Sequence, residues 1–284
     1  MTKYTKFLGL IAIALFLIAC NGNKTETNTT ESKYDKIIES GKIKVGYISY
    51  PPSFIVGADG NKSGIFYEVM EKIGENLGLE IVYQEEVTWD GMIESVKQGK
   101  IDMVVTGIWP TSQRGKHVDF AKPLFYSVVK AYTAYGNDKF DNNLDAINSS
   151  DVIISTIDGE MTSIIANFDF PKAKQQAVTQ LTGVSQTLLE IKSKKADVTF
   201  VEPAIALEFA SKNPNSIQEV KGVEPLRVFP NSMLLPKGSV KLRTTLNIAI
   251  EELQNNGFVD KVIAKYEKYP NSYYKVQSPY KSNN

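Results

Sequence analysis

Strand-like and helix-like apolar patterns alternate along residues 43–106, and this alternation is the feature that most constrains the fold. Apolar residues occupy every second position over 43–47, which predicts a strand. They recur at helical spacing over 66–77, and two further strands are predicted over 79–83 and 101–106, with a short helix between them. The last run is almost wholly apolar, as is typical of a parallel strand covered on both faces. The pattern therefore predicts an α/β unit with a parallel sheet.

A second unit of the same kind is predicted after residue 130. Strand-like runs occur at 152–156 and 198–201, helical periodicity appears near Ile164 and Leu188, and Pro203 stands where a helix can begin. A later strand, at 232–236, is followed by helices that span 242–253 and 259–266. Two α/β units in one chain predict a cleft, and clefts of this kind commonly bind ligands at the carboxyl ends of the strands.

The composition excludes several classes of partner. Apolar residues make up 42% of the chain, and Lys plus Arg equals Asp plus Glu at 32 each. This globular composition has no basic surplus that would favour nucleic acid or an anionic membrane surface. The chain has one cysteine, Cys20, so an intrachain disulfide is excluded. One histidine, His117, cannot build a His-based metal site, and we expect it to be exposed and the protein to need no metal or cofactor.

The N-terminus predicts export. Lys3 and Lys6 precede an apolar run at 7–19, which is too short to span a membrane and has the length of a signal-peptide core. The sequence LIAC at 17–20 resembles the bacterial lipobox. This resemblance implies a signal peptide at 1–19 and a lipid anchor on Cys20, with fatty acids such as palmitate. Polar residues at 20–33 would form a flexible tether. An uncleaved anchor with an ordinary cysteine is the alternative.

An arginine follows the strand at 101–106. In the segment TGIWPTSQR at 106–114, Arg114 comes shortly after the turn that contains Gly107. A guanidinium in such a position is a good partner for a small carboxylate, since it can form two parallel hydrogen bonds. The sequence therefore predicts an anion-binding group at the mouth of the first unit.

Several short motifs, together, resemble one family. They are GKIKVG at 41–46, PP at 51–52, Gly64, GKID at 99–102, TSQR at 111–114, VDF at 118–120, Pro123, AD at 196–197, PKG at 236–238 and NG at 256–257. In this order and spacing, from about residue 41 to 269, the chain resembles the bacterial extracellular solute-binding proteins of family 3, the polar amino-acid class of ABC importers.

The resemblance implies a type II periplasmic-binding-protein fold, in which two α/β lobes are joined by a two-strand hinge. Lobe 1 would comprise residues 34–127 plus 230–270, lobe 2 residues 128–229, and a polar tail residues 271–284. The implied protein is a monomer at the cell envelope, on the periplasmic or extracellular face of the membrane. It would close around a small amino acid or derivative and dock on an ABC permease.

The resemblance also assigns roles to individual residues. Arg114 would bind the α-carboxylate of the ligand and Glu202 its α-ammonium group. Trp89 would stack on the ligand, and Tyr47 and Tyr50 would wall the pocket.

Three further positions complete the predicted site. Gly107 would let the backbone approach the ligand, and Asp158 lies in the turn that corresponds to the ligand-binding loop of the second lobe. Trp109 stands where many relatives have Thr or Ser, so it cannot offer their hydroxyl group. An aromatic box for a cationic or methylated group therefore remains an alternative, formed by Tyr47, Tyr50, Trp89 and Trp109.

Two other functions compete with solute capture. Cyclohexadienyl dehydratases resemble these binding proteins, and Glu202 or Asp158 could serve as the general acid of such an enzyme. The protein could also act as a sensor that signals to a membrane partner. Lipid anchoring and the absence of a phosphate loop or a nucleophile elbow favour a binding protein over an enzyme.

Overall fold

The computed structural model describes residues 32–179, 182–270 and 272–276. The predicted signal peptide, Cys20 and nearly all of the predicted tether lie outside these ranges, as do residues 277–284. The first described helix, α1, spans Lys33–Ser40. The hydroxyl oxygen of Ser32 accepts a hydrogen bond from the Asp35 amide at 3.2 Å, which caps this helix. No helix in the described ranges is both long enough and apolar enough to cross a bilayer.

The first predicted α/β unit is confirmed by three parallel strands and two helices. Strand β1 (Lys42–Tyr47) pairs with two later strands of this unit. The elements that follow it are a short hairpin of β2 (Ile55–Val56) and β3 (Lys62–Ser63), α2 (Ile65–Leu77), β4 (Glu80–Glu86), α3 (Met92–Lys97) and β5 (Met103–Ile108). All six residues of β5 are buried, as its apolar run predicts.

The second predicted unit is confirmed as well. Its elements are β8 (Ile153–Ile157), α5 (Met161–Asp169), β9 (Lys174–Val178), α6 (Ser185–Lys192), β10 (Val198–Val201) and α7 (Pro203–Lys212). Strand β8 runs parallel to β9 on one side and to β10 on the other. Pro203 opens α7, where its missing amide hydrogen costs nothing.

Two long strands connect these groups in one sheet. They are β7 (Phe125–Ala134) and β12 (Arg227–Pro236), which pair with each other in antiparallel register. Strand β12 also pairs with β5, and β7 pairs with β10. The main order is therefore β4-β1-β5-β12-β7-β10-β8-β9. The chain crosses from the first group of parallel strands to the second along β7, and it returns to the first along β12.

Shorter elements complete the fold. They are α4 (Ser112–Gly115), β6 (Val118–Phe120), a 3₁₀ turn (Leu144–Ile147), β11 (Ile217–Glu219), α8 (Val240–Asn255), α9 (Phe258–Tyr266) and β13 (Tyr273–Lys275). Strand β13 pairs with β7 at the point where β7 also pairs with β12, so β7 has a strand on each side there. The predicted polar tail thus contributes one strand to the sheet.

Candidate ligand-binding site

A cavity of about 1030 Å³ lies where the carboxyl ends of both strand groups face each other. This volume is at the upper end of ordinary small-molecule sites. The lining residues that the sequence analysis predicts are Tyr50, Trp89, Gly107, Trp109, Arg114 and Glu202. Other lining residues come from the loop before α6, from α7 and from the segment that follows α9. Six of the eight predicted ligand contacts therefore share one cavity.

Tyr47 and Asp158 do not line this cavity. The ring of Tyr47 stacks on Phe54, with centroids 4.9 Å apart, and so belongs to an aromatic cluster outside the cavity. The amide of Asp158 donates to the carbonyl of Val178, and the next residue, Gly159, has φ 70°. That left-handed turn brings Glu160, which does line the cavity, to its wall. His117 is exposed, as predicted.

Arg114 is held by its own loop. The hydroxyl oxygen of Thr111 accepts a hydrogen bond from the Arg114 amide at 3.1 Å and so caps α4. The guanidinium donates from Nη1 to the carbonyl oxygen of Trp109, also at 3.1 Å. Its Nη2 atom lies 3.6 Å from Oε1 of Glu160, and the Arg114 side chain is only 18% exposed. The guanidinium is thus fixed in place and faces a carboxylate of the second strand group.

Glu202 is the buried end of a hydrogen-bonded chain. It follows β10 and precedes α7, and it is 6% exposed. The hydroxyl of Tyr50 donates to its Oε2 at 2.7 Å, and Ser127 also donates to this carboxylate. Nδ2 of Asn231 donates in turn to the Ser127 hydroxyl oxygen at 2.8 Å. Ser127 lies on β7 and Asn231 on β12, so this series of hydrogen bonds links both long strands to the cavity.

The pKa values of the Glu202 and Glu160 carboxyl groups are both raised. Burial raises the pKa of Glu202, and the hydrogen bonds from Ser127 and Tyr50 oppose that effect in part. Burial also raises the pKa of Glu160, and the charge of Arg114 works against it. Each carboxylate is therefore costly to hold as an anion unless a cation or hydrogen-bond donor approaches it.

The aromatic residues differ in their packing. The rings of Tyr50 and Trp89 meet edge to face at 5.6 Å. Trp109 instead stacks on Phe229, with centroids 4.7 Å apart and an interplanar angle of 19°. Because one face of Trp109 is covered by Phe229, only its remaining surface can contact a ligand. This packing weakens the four-residue aromatic box as an alternative.

The segment after α9 forms part of the wall. Nζ of Lys268 lies 2.6 Å from Oε2 of Glu208 on α7, and the hydroxyl of Tyr269 donates to the same oxygen at 3.2 Å. Tyr273 of β13 also lines the cavity, and burial together with the charge of Glu202 raises the pKa of its hydroxyl.

The sequence analysis did not identify Ser127, Asn231, Glu160 or the C-terminal lining residues. Glu160 had one signal, since it directly follows a glycine turn and precedes a helix. Ser127, Asn231 and Tyr273 become neighbours of the site through strand pairing between β7, β12 and β13. Lys268 and Tyr269 reach it through their contacts with Glu208.

This constellation is suited to binding a small charged molecule at both ends. Arg114 offers a cation, and Glu202 and Glu160 offer anions, within one cavity. Among the residues that the structure describes, no three His, Cys, Asp or Glu side chains are grouped as a metal site.

Comparison with known proteins places this geometry in context. The family model described as bacterial extracellular solute-binding proteins, family 3, matches residues 43–269. A probable histidine-binding protein of Campylobacter jejuni is 28% identical over 92% of this chain and 98% of its own length. The L-cystine-binding protein TcyJ of Escherichia coli K12 is 25% identical over 91% of this chain and 93% of its own length.

A solved structure shares the fold. It is an ancestral amino acid-binding protein, described as a precursor of cyclohexadienyl dehydratase, with a TM-score of 0.68 and 24% identity. The match covers 84% of this chain and all of that one. The predicted type II periplasmic-binding-protein fold is thereby confirmed.

Proposed function

The chain belongs to the bacterial extracellular solute-binding proteins, family 3, and from this membership we propose that it is the binding component of an ABC importer for amino acids. One observation carries the proposal: Arg114 and Glu202, from different strand groups, line the same cavity. A zwitterion could place its carboxylate on Arg114 and its ammonium group on Glu202, so both charges would be paired together. The reported relatives are named as binding proteins of histidine and L-cystine.

We further propose that residues 34–127 and 230–270 form lobe 1 and that residues 128–229 form lobe 2. The pairing of β7 with β12 supports this division, because these strands are the two connections between the groups of parallel strands. Closure would bring Arg114 and Glu202 to opposite ends of the ligand, and only the closed state would satisfy both charges. The closed monomer would then dock on its permease.

The family is described as extracellular, and for this chain we propose anchoring at the cell envelope through Cys20. Support comes from the lipobox-like LIAC at 17–20 and from the short apolar run before it. Mass spectrometry of the envelope-extracted protein would show a lipid-modified N-terminal Cys20. An intact Met1 would contradict this part of the proposal.

Substitution of Arg114 by Ala tests the proposed function directly. For a ligand bound near ~1 μM, about 8 kcal/mol is available, and loss of a partly buried charge-paired anchor removes about 2 kcal/mol or more, or roughly 30-fold in affinity. Calorimetric titration with a panel of amino acids would measure this loss. Arg243→Ala is the matched control, because Arg243 pairs with Asp119 and does not line the cavity.

Two results would contradict the proposal. One is that no amino acid binds to the purified wild-type protein. The other is that Arg114→Ala binds its ligand as tightly as the control variant. Incubation with prephenate and arogenate tests the dehydratase alternative, since aromatisation of either compound would show that the protein is an enzyme.

A further inference from the structure

The charged groups of the cavity fall into two sets. At the rim, Lys265 is 2.6 Å from Glu68, and Lys268 and Lys212 both pair with Glu208. Each of these lysines is more than 60% exposed, so water and local carboxylates already stabilise it. The inner wall differs, because its charged side chains are less exposed: Arg114 is 18% exposed and faces Glu160, which is 30% exposed, and Glu202 is 6% exposed. The inner set therefore carries one positive and two negative charges.

A neutral amino acid would leave this inner set unbalanced. Its carboxylate would take a position on the Arg114 guanidinium, whose Nη1 atom already donates to the carbonyl of Trp109. The remaining Nη2 lies 3.6 Å from Glu160, so the ligand carboxylate and Glu160 would compete for the same cation. Two carboxylates at one guanidinium repel each other. Because Glu202 would be paired with the α-ammonium group, Glu160 would remain a partly buried anion with a weakened partner.

A second positive charge on the ligand removes this conflict. We propose that Glu160 is the residue that selects the ligand and that the preferred ligand is a cationic amino acid, whose side-chain cation pairs with Glu160 when its carboxylate takes Arg114. This inference rests on the proposed function and narrows it. A cavity of about 1030 Å³ has room for a long cationic side chain beside the Tyr50–Trp89 wall. Selection here works chiefly against neutral ligands, since they would leave Glu160 without a full partner.

The test uses pairs of ligands that differ in charge and little in shape. L-arginine is compared with neutral L-citrulline, and L-lysine with neutral L-norleucine, by calorimetric titration of the purified protein at pH 7. We expect the wild type to bind each cationic ligand at least about tenfold more tightly than its neutral counterpart. In Glu160→Gln, which keeps the shape and removes the charge, we expect that ratio to fall to within about threefold of one, with tighter citrulline binding than in the wild type.

A matched control is Glu94→Gln, since Glu94 is exposed on α3 and does not line the cavity. It should keep the wild-type ratio. Equal binding of arginine and citrulline by the wild type would overturn the inference and leave the proposed function intact. An unchanged ratio in Glu160→Gln would also overturn it. Failure of all four ligands and of every other amino acid would instead contradict the proposed function itself.

Discussion

Gly107 shows how closely the residues around the site are packed. A Cβ atom at this position would lie 2.7 Å from Oδ1 of Asn231 and 2.8 Å from Oγ of Ser53. Both neighbours are buried, and Asn231 is already fixed by its hydrogen bond to Ser127. The absence of a side chain at Gly107 therefore leaves room for Asn231, which hydrogen-bonds to Ser127 beside Glu202. This role is separate from the predicted close approach of the Gly107 backbone to a ligand.

Gly107→Ala should lower the free energy of unfolding by about 1–3 kcal/mol, because the added methyl group forces Asn231 or Ser53 to shift. Gly115→Ala is the matched control, since nothing lies within 4 Å of a Cβ at that position and its φ is not positive. Chemical denaturation of the two variants would compare them. Equal stability of Gly107→Ala and Gly115→Ala would show that the close contacts relax without cost.

The raised pKa of Glu202 predicts the pH dependence of binding. Protonation removes the charge that would hold an ammonium group, so affinity should weaken as the pH falls through a value above the ordinary 4.5 of a glutamic acid. The sign for stability is opposite: a raised pKa in the folded state means that folding stability declines as the pH rises from 4.5 through that higher value.

Tyr50→Phe should move the acidic limb of the affinity profile to higher pH, because it deletes a hydrogen bond that favours the charged carboxylate. Titration calorimetry across the acidic range would measure the midpoint. Tyr274→Phe serves as the control, since Tyr274 is 45% exposed and is not a lining residue. The assignment of the acidic limb to Glu202 fails if both variants share the wild-type midpoint.

At the scale of elements, α7 is tied to the segment that follows α9. The carboxylate of Glu208 on α7 pairs with Lys268 and accepts a hydrogen bond from Tyr269, both in that segment. It also pairs with Lys212 of its own helix. Hydrogen bonds from these groups, with Lys268 the largest contributor, lower the pKa of Glu208 to about 2. If the lobes divide as proposed, this cluster crosses between them, so it would be expected to favour their approach.

Lys268→Gln should raise the pKa of Glu208 from about 2 towards 4.5, since the largest cause of the depression is removed. Because the depressed pKa stabilises the fold above 4.5, that contribution is lost as the pH falls towards 2. NMR titration of the Glu208 carboxyl carbon would measure this pKa. Lys275→Gln is the control, because Lys275 forms a separate ion pair with Asp260. High salt should shrink the effect, because the pair is exposed. An unchanged titration in Lys268→Gln would exclude the contact in solution.

At the scale of the whole molecule, strand β13 pairs with one of the two long strands that connect the strand groups. Strand β13 pairs with β7 at residues 125–127, and Tyr273 is 8% exposed beside the cavity. The family match ends at residue 269, so this strand lies beyond it. The strand adds both backbone hydrogen bonds and a buried aromatic ring to the connection that any closure would have to bend.

A chain that ends at Pro270 should therefore be less stable than one that ends at Val276 by roughly 3 kcal/mol, the scale of losing one large buried side chain. It should also bind its amino acid more weakly, because Tyr273 lines the cavity. Urea denaturation and calorimetric titration of both truncated chains would measure these differences. Matching values for the two chains would show that β13 does not support the site.

Local patterns were sufficient to predict most of the regular elements. The buried run of β5 and the helical periodicity of α2 are properties of consecutive residues, so they can be predicted from the sequence. Strands β9 and β13 were not predicted, because β9 is largely exposed and β13 has three residues, and each depends on a partner strand for its pairing. Glu202 was predicted from its place directly after a strand, and Arg114 from a motif that follows a strand after a short turn.

The sequence by itself determined the α/β alternation, the charged residues at the strand ends and the membership of the family, because these depend on spacing along the chain. Only the tertiary structure decided which of these residues share a cavity. The turn at Gly159 brings Glu160 to the wall where Asp158 was expected, and Tyr47 turns to Phe54. Such choices depend on side-chain directions and on contacts between distant strands, which no local pattern encodes.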